Sequence, residues 1–216
     1  MKKQWIPVEE VPVVLDLLKE RYPEAGCALD YGTHFELLVS VILSAQTTDV
    51  SVNKVTPALF RQFPDAASLA RAEQREVEDL IRSIGLYKNK AANIIRMAQT
   101  LEAEYGGTVP GVYEELIRLP GVGRKTANVV LAEGFGAQRI AVDTHVFRVS
   151  NRLGLADADD VLKTENMLME VLPEDRWTES HHLLIFHGRN LCSARKPKCE
   201  DCPVRGYCRY FSENGA

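Results

Sequence analysis

The sequence contains no stretch that alternates apolar and polar residues as a half-buried strand does, which excludes a fold built mainly on sheet. No apolar run is long enough to cross a bilayer. The N-terminal MKKQWIPVEEV has basic residues but no apolar core of the kind that directs secretion. These absences predict a cytoplasmic protein with no membrane partner. No Pro/Gly/Ser linker divides the chain, so if there are two domains, tight loops must join them. Net positive charge is lacking too: 26 Lys and Arg stand against 30 Asp and Glu, a formal charge of −4. A uniformly basic surface is therefore excluded, and an anionic partner must be met by local clusters. The 216 residues, 45% hydrophobic and 26% charged, suffice for one large globular domain or two small ones.

Apolar positions recur at helical spacing along the chain. Val11 to Arg21 reads as an amphipathic helix with Pro12 in its first turn. Thr33 and Glu36 form a capping-box pattern before a strongly apolar helix that starts near His34. The run SAQTTD, Ser44 to Asp49, breaks the pattern, and Asp49 is expected to cap a helix to Phe60. Asp65 should cap a short helix. Glu73–Ile84 and Tyr87–Tyr105 follow, stopped by Gly85 and by Gly106 and Gly107. Val112–Arg118, Arg124 to about Glu133, Asp143–Leu153, Asp160–Leu172 and Arg176–Asn190 complete an all-α reading.

Two stretches carry chemistry. Leu119 to Leu131 reads LPGVGRKTANVVL, and Ile140 to His145 reads IAVDTH. Pro120, Gly121 and Gly123 make a tight turn that delivers a helix N-terminus, whose free N–H groups suit a phosphate. The turn residues Gly121, Val122, Gly123 and Arg124 are therefore candidate anion contacts. Arg124 and Lys125 occupy a first turn where the helix dipole favours acids. Such a broken local rule marks a functional site. Both cations can hold phosphate, or Lys125 can be a nucleophile. Asp143 can cap the next helix and can also stand beside that amine, since residues 134–142 are long enough to span about 30 Å when extended. A carboxylate beside an amine is a credible pair for opening a glycosidic bond.

Cys192, Cys199, Cys202 and Cys208 have the spacing C-x6-C-x2-C-x5-C, with Cys27 left over. In a cytosolic chain this implies a metal site rather than disulfides. Zinc and a cubane iron–sulfur cluster both accept four thiolates. With a single C-x2-C knuckle, the compact loop suits the cluster better. Arg195, Lys196 and Lys198 lie between the first two cysteines, and fixing that loop would aim them at phosphates. Arg82, Lys88, Lys90 and Arg96 form a second group of cations without an acid, and Arg205 and Arg209 add to the first.

LPGVGRKTANVVL followed by VDTH, with the cysteine spacing, resembles the endonuclease III family of bifunctional DNA glycosylases/AP lyases over nearly the whole chain. The resemblance implies a six-helix barrel over residues 26–137, with the helix-hairpin-helix at about 112–134. It implies a second helical domain from residues 1–25 and 138–216, with a DNA-binding cleft between the two. It further implies a [4Fe–4S] cluster on the four cysteines, with Lys125 and Asp143 as catalytic residues. Gln46 and Leu86 match the family positions that enter the duplex at the lesion. The expected activity is base excision of oxidised pyrimidines from double-stranded DNA. A lysine Schiff base is followed by β-elimination 3′ to the abasic site. The expected state is a monomer in the bacterial cytosol or nucleoid. An adenine-mismatch glycosylase would share the hairpin and the cluster, but Lys125 and the small amount of chain after Cys208 stand against it. A non-catalytic helix-hairpin-helix DNA-binding module would have no need of the Lys125–Asp143 pair. An iron–sulfur electron carrier would have no need of the hairpin.

Overall fold

In a computed structural model the described residues are 5–215, so the start of the basic N-terminus, residues 1–4, lies outside them. The helices in chain order are α1 (Val11–Arg21), α2 (His34–Leu43), α3 (Asp49–Gln62), α4 (Ala66–Ala70), α5 (Gln74–Leu80) and α6 (Tyr87–Tyr105). They continue with α7 (Tyr113–Leu116), α8 (Arg124–Phe135), α9 (Thr144–Leu153), α10 (Val161–Val171), α11 (Trp177–Asn190) and α12 (Arg209–Asn214). The fold is all-helical, with no strand among the described residues. The chain divides into two compact units, Ala28–Gly136 and the two ends Met1–Cys27 with Ala137–Ala216.

The central unit is organised on α2. Its residues from Leu37 to Leu43 are all buried, as a helix that is apolar all round must be. It packs on α3, α6 and α8. Burying one such side chain stabilises the fold by about 1.5–3 kcal/mol. Thr33 caps α2 by accepting from the Glu36 N–H at 3.1 Å. The expected box is only half made, because the Glu36 carboxylate accepts from the Gly32 N–H at 2.6 Å instead. The α3 cap also differs from expectation. Thr48, not Asp49, accepts from the Ser51 N–H, and Asp49 is the first helical residue, where its charge suits the dipole. The helix expected to reach Ile84 leaves helical geometry at Ile81. A turn closed by Ile84 N–H donating to Ile81 O lets both isoleucines be buried.

The terminal unit has its own core, with Val14, Leu15 and Leu18 of α1 beside Val146, Val149 and Leu153 of α9 and Leu183 and Leu184 of α11. Arg176 fastens α1 to the start of α11, donating to Asp16 and Glu179 at 2.7 Å each. The short α12 after the last cysteine has no counterpart in the sequence reading.

Candidate functional site

In the hairpin, α7 is shorter than expected because the chain from Leu116 tightens into i→i+3 turns as far as Leu119. Gly121 has φ +81°, and a Cβ there would stand 3.1 Å from the Asn93 Cβ and 3.3 Å from Ile42. The positive φ calls for glycine, and a Cβ would in addition crowd Asn93 and Ile42. Val122 is buried and pins the turn, while Gly123, Arg124 and Lys125 are exposed. Gly123 is the N-cap of α8 and offers no side-chain acceptor, nor is there an acid in the first turn. The start of α8 thus has no capping side chain, an arrangement that favours an anion. The Arg124 guanidinium lies over the Tyr113 ring, 5.9 Å from its centroid, which holds it beside the hairpin.

Asp143 is the N-cap of α9. Its Oδ1 accepts from the backbone N–H groups of His145 and Val146, both at 2.8 Å. The capping role fixes the carboxylate at the helix start and uses one oxygen for both bonds. Lys125 belongs to the central unit and Asp143 to the terminal unit.

Gln46 and Leu86 have positive φ, 54° and 58°. Holding a non-glycine residue there costs on the order of 1–2 kcal/mol, and such strain concentrates at functional sites. Both are exposed, Leu86 at 57%. The loops behind them are joined. Lys90 on α6 is buried, and its Nζ donates to Thr47 Oγ1 at 2.5 Å. Burial pushes the Lys90 ammonium below the ordinary lysine range. Lys90 is therefore not the surface cation that its sequence setting suggests. A signal for this exists in the pattern: Lys90, Ile94, Met97 and Leu101 share one helical stripe, and all are buried. Lys88 is exposed, whereas Arg82 is paired with Asp79.

The four cysteines line one cavity together with Arg152 and His187. All are free thiols. Burial pushes Cys202 up to about 11 and also raises Cys199 and Cys208. Thiols so placed become thiolates when a metal replaces their protons. Four thiols lining one cavity fit a cubane cluster in which each iron takes one cysteine. Around the cavity, His187 Nδ1 is 3.2 Å from Tyr22 Oη, and its Nε2 is 3.5 Å from Cys202 Sγ.

The loop from Ser193 to Lys198 is held from behind. Arg152 donates to the carbonyls of Ser193 and Ala194 at 2.7 and 2.8 Å. Arg148 Nε donates to the Cys192 carbonyl at 3.1 Å. Arg195, Lys196 and Lys198 remain exposed. Arg205 and Arg209, expected to share that basic face, are instead paired with Glu200 and Asp157. Nothing in the local pattern marks the two clamping arginines, whose partners are carbonyls some forty residues away.

Residues 39–174 match the HhH-GPD superfamily of base excision DNA repair proteins. Residues 192–208, from the first to the last clustered cysteine, match the iron–sulfur binding domain of endonuclease III. The chain is 50% identical to endonuclease III of Synechocystis sp. over 196 residues, 90% of each chain. It is 45% identical to endonuclease III of Bacillus subtilis over 203 residues, 94% of this chain and 93% of the relative. A solved structure of a trapped endonuclease III–DNA covalent intermediate superposes with a TM-score of 0.91 at 44% identity, covering 98% of this chain and all of that one.

Proposed function

The chain belongs to the endonuclease III family of base-excision DNA repair proteins, and from that premise we propose how its residues share the work. It is a bifunctional DNA glycosylase and abasic-site lyase, it binds DNA, and it carries a [4Fe–4S] cluster. Lys125 is the nucleophile and Asp143 its acidic partner. The substrates are oxidised pyrimidines and abasic sites in duplex DNA. The observation that carries this assignment is an exposed lysine in the first turn of a helix that has neither cap side chain nor acid.

An enzyme that acts on a base must first take it out of the stack. Leu86 and Gln46 enter the duplex and fill the space the base leaves. The N-terminal N–H groups of α8 and Arg124 hold backbone phosphate. Phosphate contacts also come from Lys196 and Lys198, which fix the register without reading sequence. The neutral Nζ of Lys125 attacks the anomeric carbon of the deoxyribose, and the C–N bond to the base breaks with its electron pair leaving on the base. Asp143 stabilises the positive charge that develops on the sugar and takes up the proton lost from the attacking amine. The amine is then joined to C1′ as an N-glycoside. The C1′–O4′ bond breaks with its electron pair leaving on O4′, which takes the proton back from Asp143. The resulting imine acidifies the neighbouring C2′ proton. Its removal expels the 3′ phosphate, and water then hydrolyses the imine to release Lys125. An amine nucleophile thus gives strand cleavage, which an activated water could not.

Cys192, Cys199, Cys202 and Cys208 hold the cluster. When bound, it supplies iron–thiolate bonds that fasten the C-terminal tail and the loop bearing Lys196 and Lys198. The working form is a monomer acting on DNA in the bacterial cytosol or nucleoid. No helix among the described residues is long and apolar enough to cross a membrane. The test is incubation with duplex carrying a single thymine glycol. Base release followed by a 3′ unsaturated aldehyde end is expected. An intact strand with an abasic site would mean hydrolysis by water and would remove Lys125 from its role.

A further inference from the structure

One residue bonds to both strained loops, by its backbone to one and by its side chain to the other. The Lys90 backbone N–H donates to the Leu86 carbonyl at 3.0 Å, closing the first turn of α6. Its Nζ crosses to Thr47 Oγ1 at 2.5 Å, the residue next to Gln46. Thr47 is tied in turn to its own loop, its N–H donating to Ser44 O at 3.0 Å and its hydroxyl to Ala45 O at 3.4 Å. Ala45 and Thr47, on either side of Gln46, are thereby linked through Lys90 to the turn that carries Leu86. Lys90 as a whole is buried, 4% exposed. A phosphate contact needs a cation that the backbone of DNA can reach. Burial of a charge against a neutral hydroxyl adds little to stability, because desolvation offsets the gain. A buried lysine in this place is therefore explained poorly by docking and poorly by stability.

We propose that Lys90 is a positioning residue that locks the Gln46 loop to the Leu86 turn, so that the two enter the duplex as one rigid wedge. The inference rests on the reading of Gln46 and Leu86 as the residues that fill the vacated stack. It assigns to Lys90 and Thr47 the geometry of that step rather than any contact with DNA. Two independently moving loops would each lose conformational freedom on entering the duplex; a preformed pair has lost it already, which favours binding.

The experiment uses the full cluster-loaded protein and compares Lys90→Met, Thr47→Val, Thr47→Ser and Leu86→Ala. Affinity is measured over a range of salt for a duplex with a tetrahydrofuran abasic analogue and for the undamaged duplex. Fluorescence of a 2-aminopurine opposite the lesion reports opening of the stack. Lys90→Met and Thr47→Val should each lose about tenfold in lesion affinity, the scale of one hydrogen bond to a charged group. They should also lose the fluorescence rise, with the undamaged affinity and salt slope kept. Thr47→Ser, which retains the hydroxyl, should behave as wild type. Lys90→Met should melt no lower than wild type, and added to Leu86→Ala it should cause little further loss.

Equal losses on both duplexes with a salt slope reduced by about one would make Lys90 a phosphate contact and overturn the proposal. So would unchanged lesion binding by Thr47→Val, which tests the same bond should Lys90→Met not fold. Failure of Thr47→Ser to rescue would overturn it too. If Leu86→Ala weakens lesion binding while both bond variants do not, the wedge reading stands and this inference alone falls. If Leu86→Ala changes nothing, both fall.

Discussion

Gln46 and Leu86, forty positions apart in the chain, share a left-handed backbone conformation that no other non-glycine residue among the described ones adopts. Leu86 is also 57% exposed, so its side chain contributes little to the core. On the proposed wedge role, the strain is a cost of that function. Leu86→Gly should relieve it and stabilise the fold by about 0.5–1 kcal/mol, raising the melting temperature by about 1–4 °C for a chain of this size. The same variant should lose lesion binding. Thermal melting and affinity measured on one preparation check the opposition. A variant that melts lower would show that the turn is not strained.

Affinity for DNA must come from local cations, because the chain as a whole is acidic. Each phosphate neutralised contributes about 0.9 to the log–log salt slope. Replacing Lys196 and Lys198 together by Ala should lower the slope by up to about two, equally for damaged and intact duplex. Lys88→Ala can lower it by up to about one. Lys90 is buried and should leave it unchanged.

Glu179 accepts from Lys19 at 2.5 Å and from Arg176 at 2.7 Å. Burial alone would raise its carboxyl, but these two cations prevail and hold it below the usual range. A depressed carboxylate stabilises the fold above its unfolded value, near about 4.3, and that contribution is lost as pH falls through the folded value. Glu179→Gln should therefore melt lower than wild type at pH 7, by the equivalent of about 1 kcal/mol or less. The difference should close under acid. A constant difference across pH would assign the effect to packing.

Anaerobically purified protein should be yellow-brown with broad absorption near ~400 nm and hold about four irons per chain. Cys202→Ser should lose most of that colour and become sensitive to proteolysis between Ser193 and Lys198. Stoichiometric zinc in a colourless preparation would contradict the cavity argument.

Where pattern and physics act locally, the fold is legible in the residue order. Tyr87–Tyr105 and Val11–Arg21 have the bounds their periodicity and stop signals predict, and Asp65 caps its helix as expected. Competition between equal candidates is not legible. Thr48 and Asp49 are both capable caps, and which one serves depends on where the chain leaves α2. The charge of Lys90 suggests a surface cation, but the apolar stripe it shares with Ile94 and Leu101 decides its place. The arginine clamps behind the cysteine loop depend on tertiary placement, and no local spacing encodes them. Of the site, the hairpin, the cysteines and Asp143 can be found from residue order, whereas the strained backbone at Gln46 and Leu86 cannot.

The central claim is that the Lys125 amine forms the bond to the sugar. Borohydride reduction during turnover on a thymine glycol duplex should give a covalent protein–DNA adduct, and peptide mapping should locate the modified residue at Lys125. Lys125→Gln should give no adduct and no strand cleavage while retaining affinity for the tetrahydrofuran duplex within about threefold, since little of that affinity is a single exposed charge. An adduct mapped to another amine, or undiminished trapping by Lys125→Gln, would contradict the account.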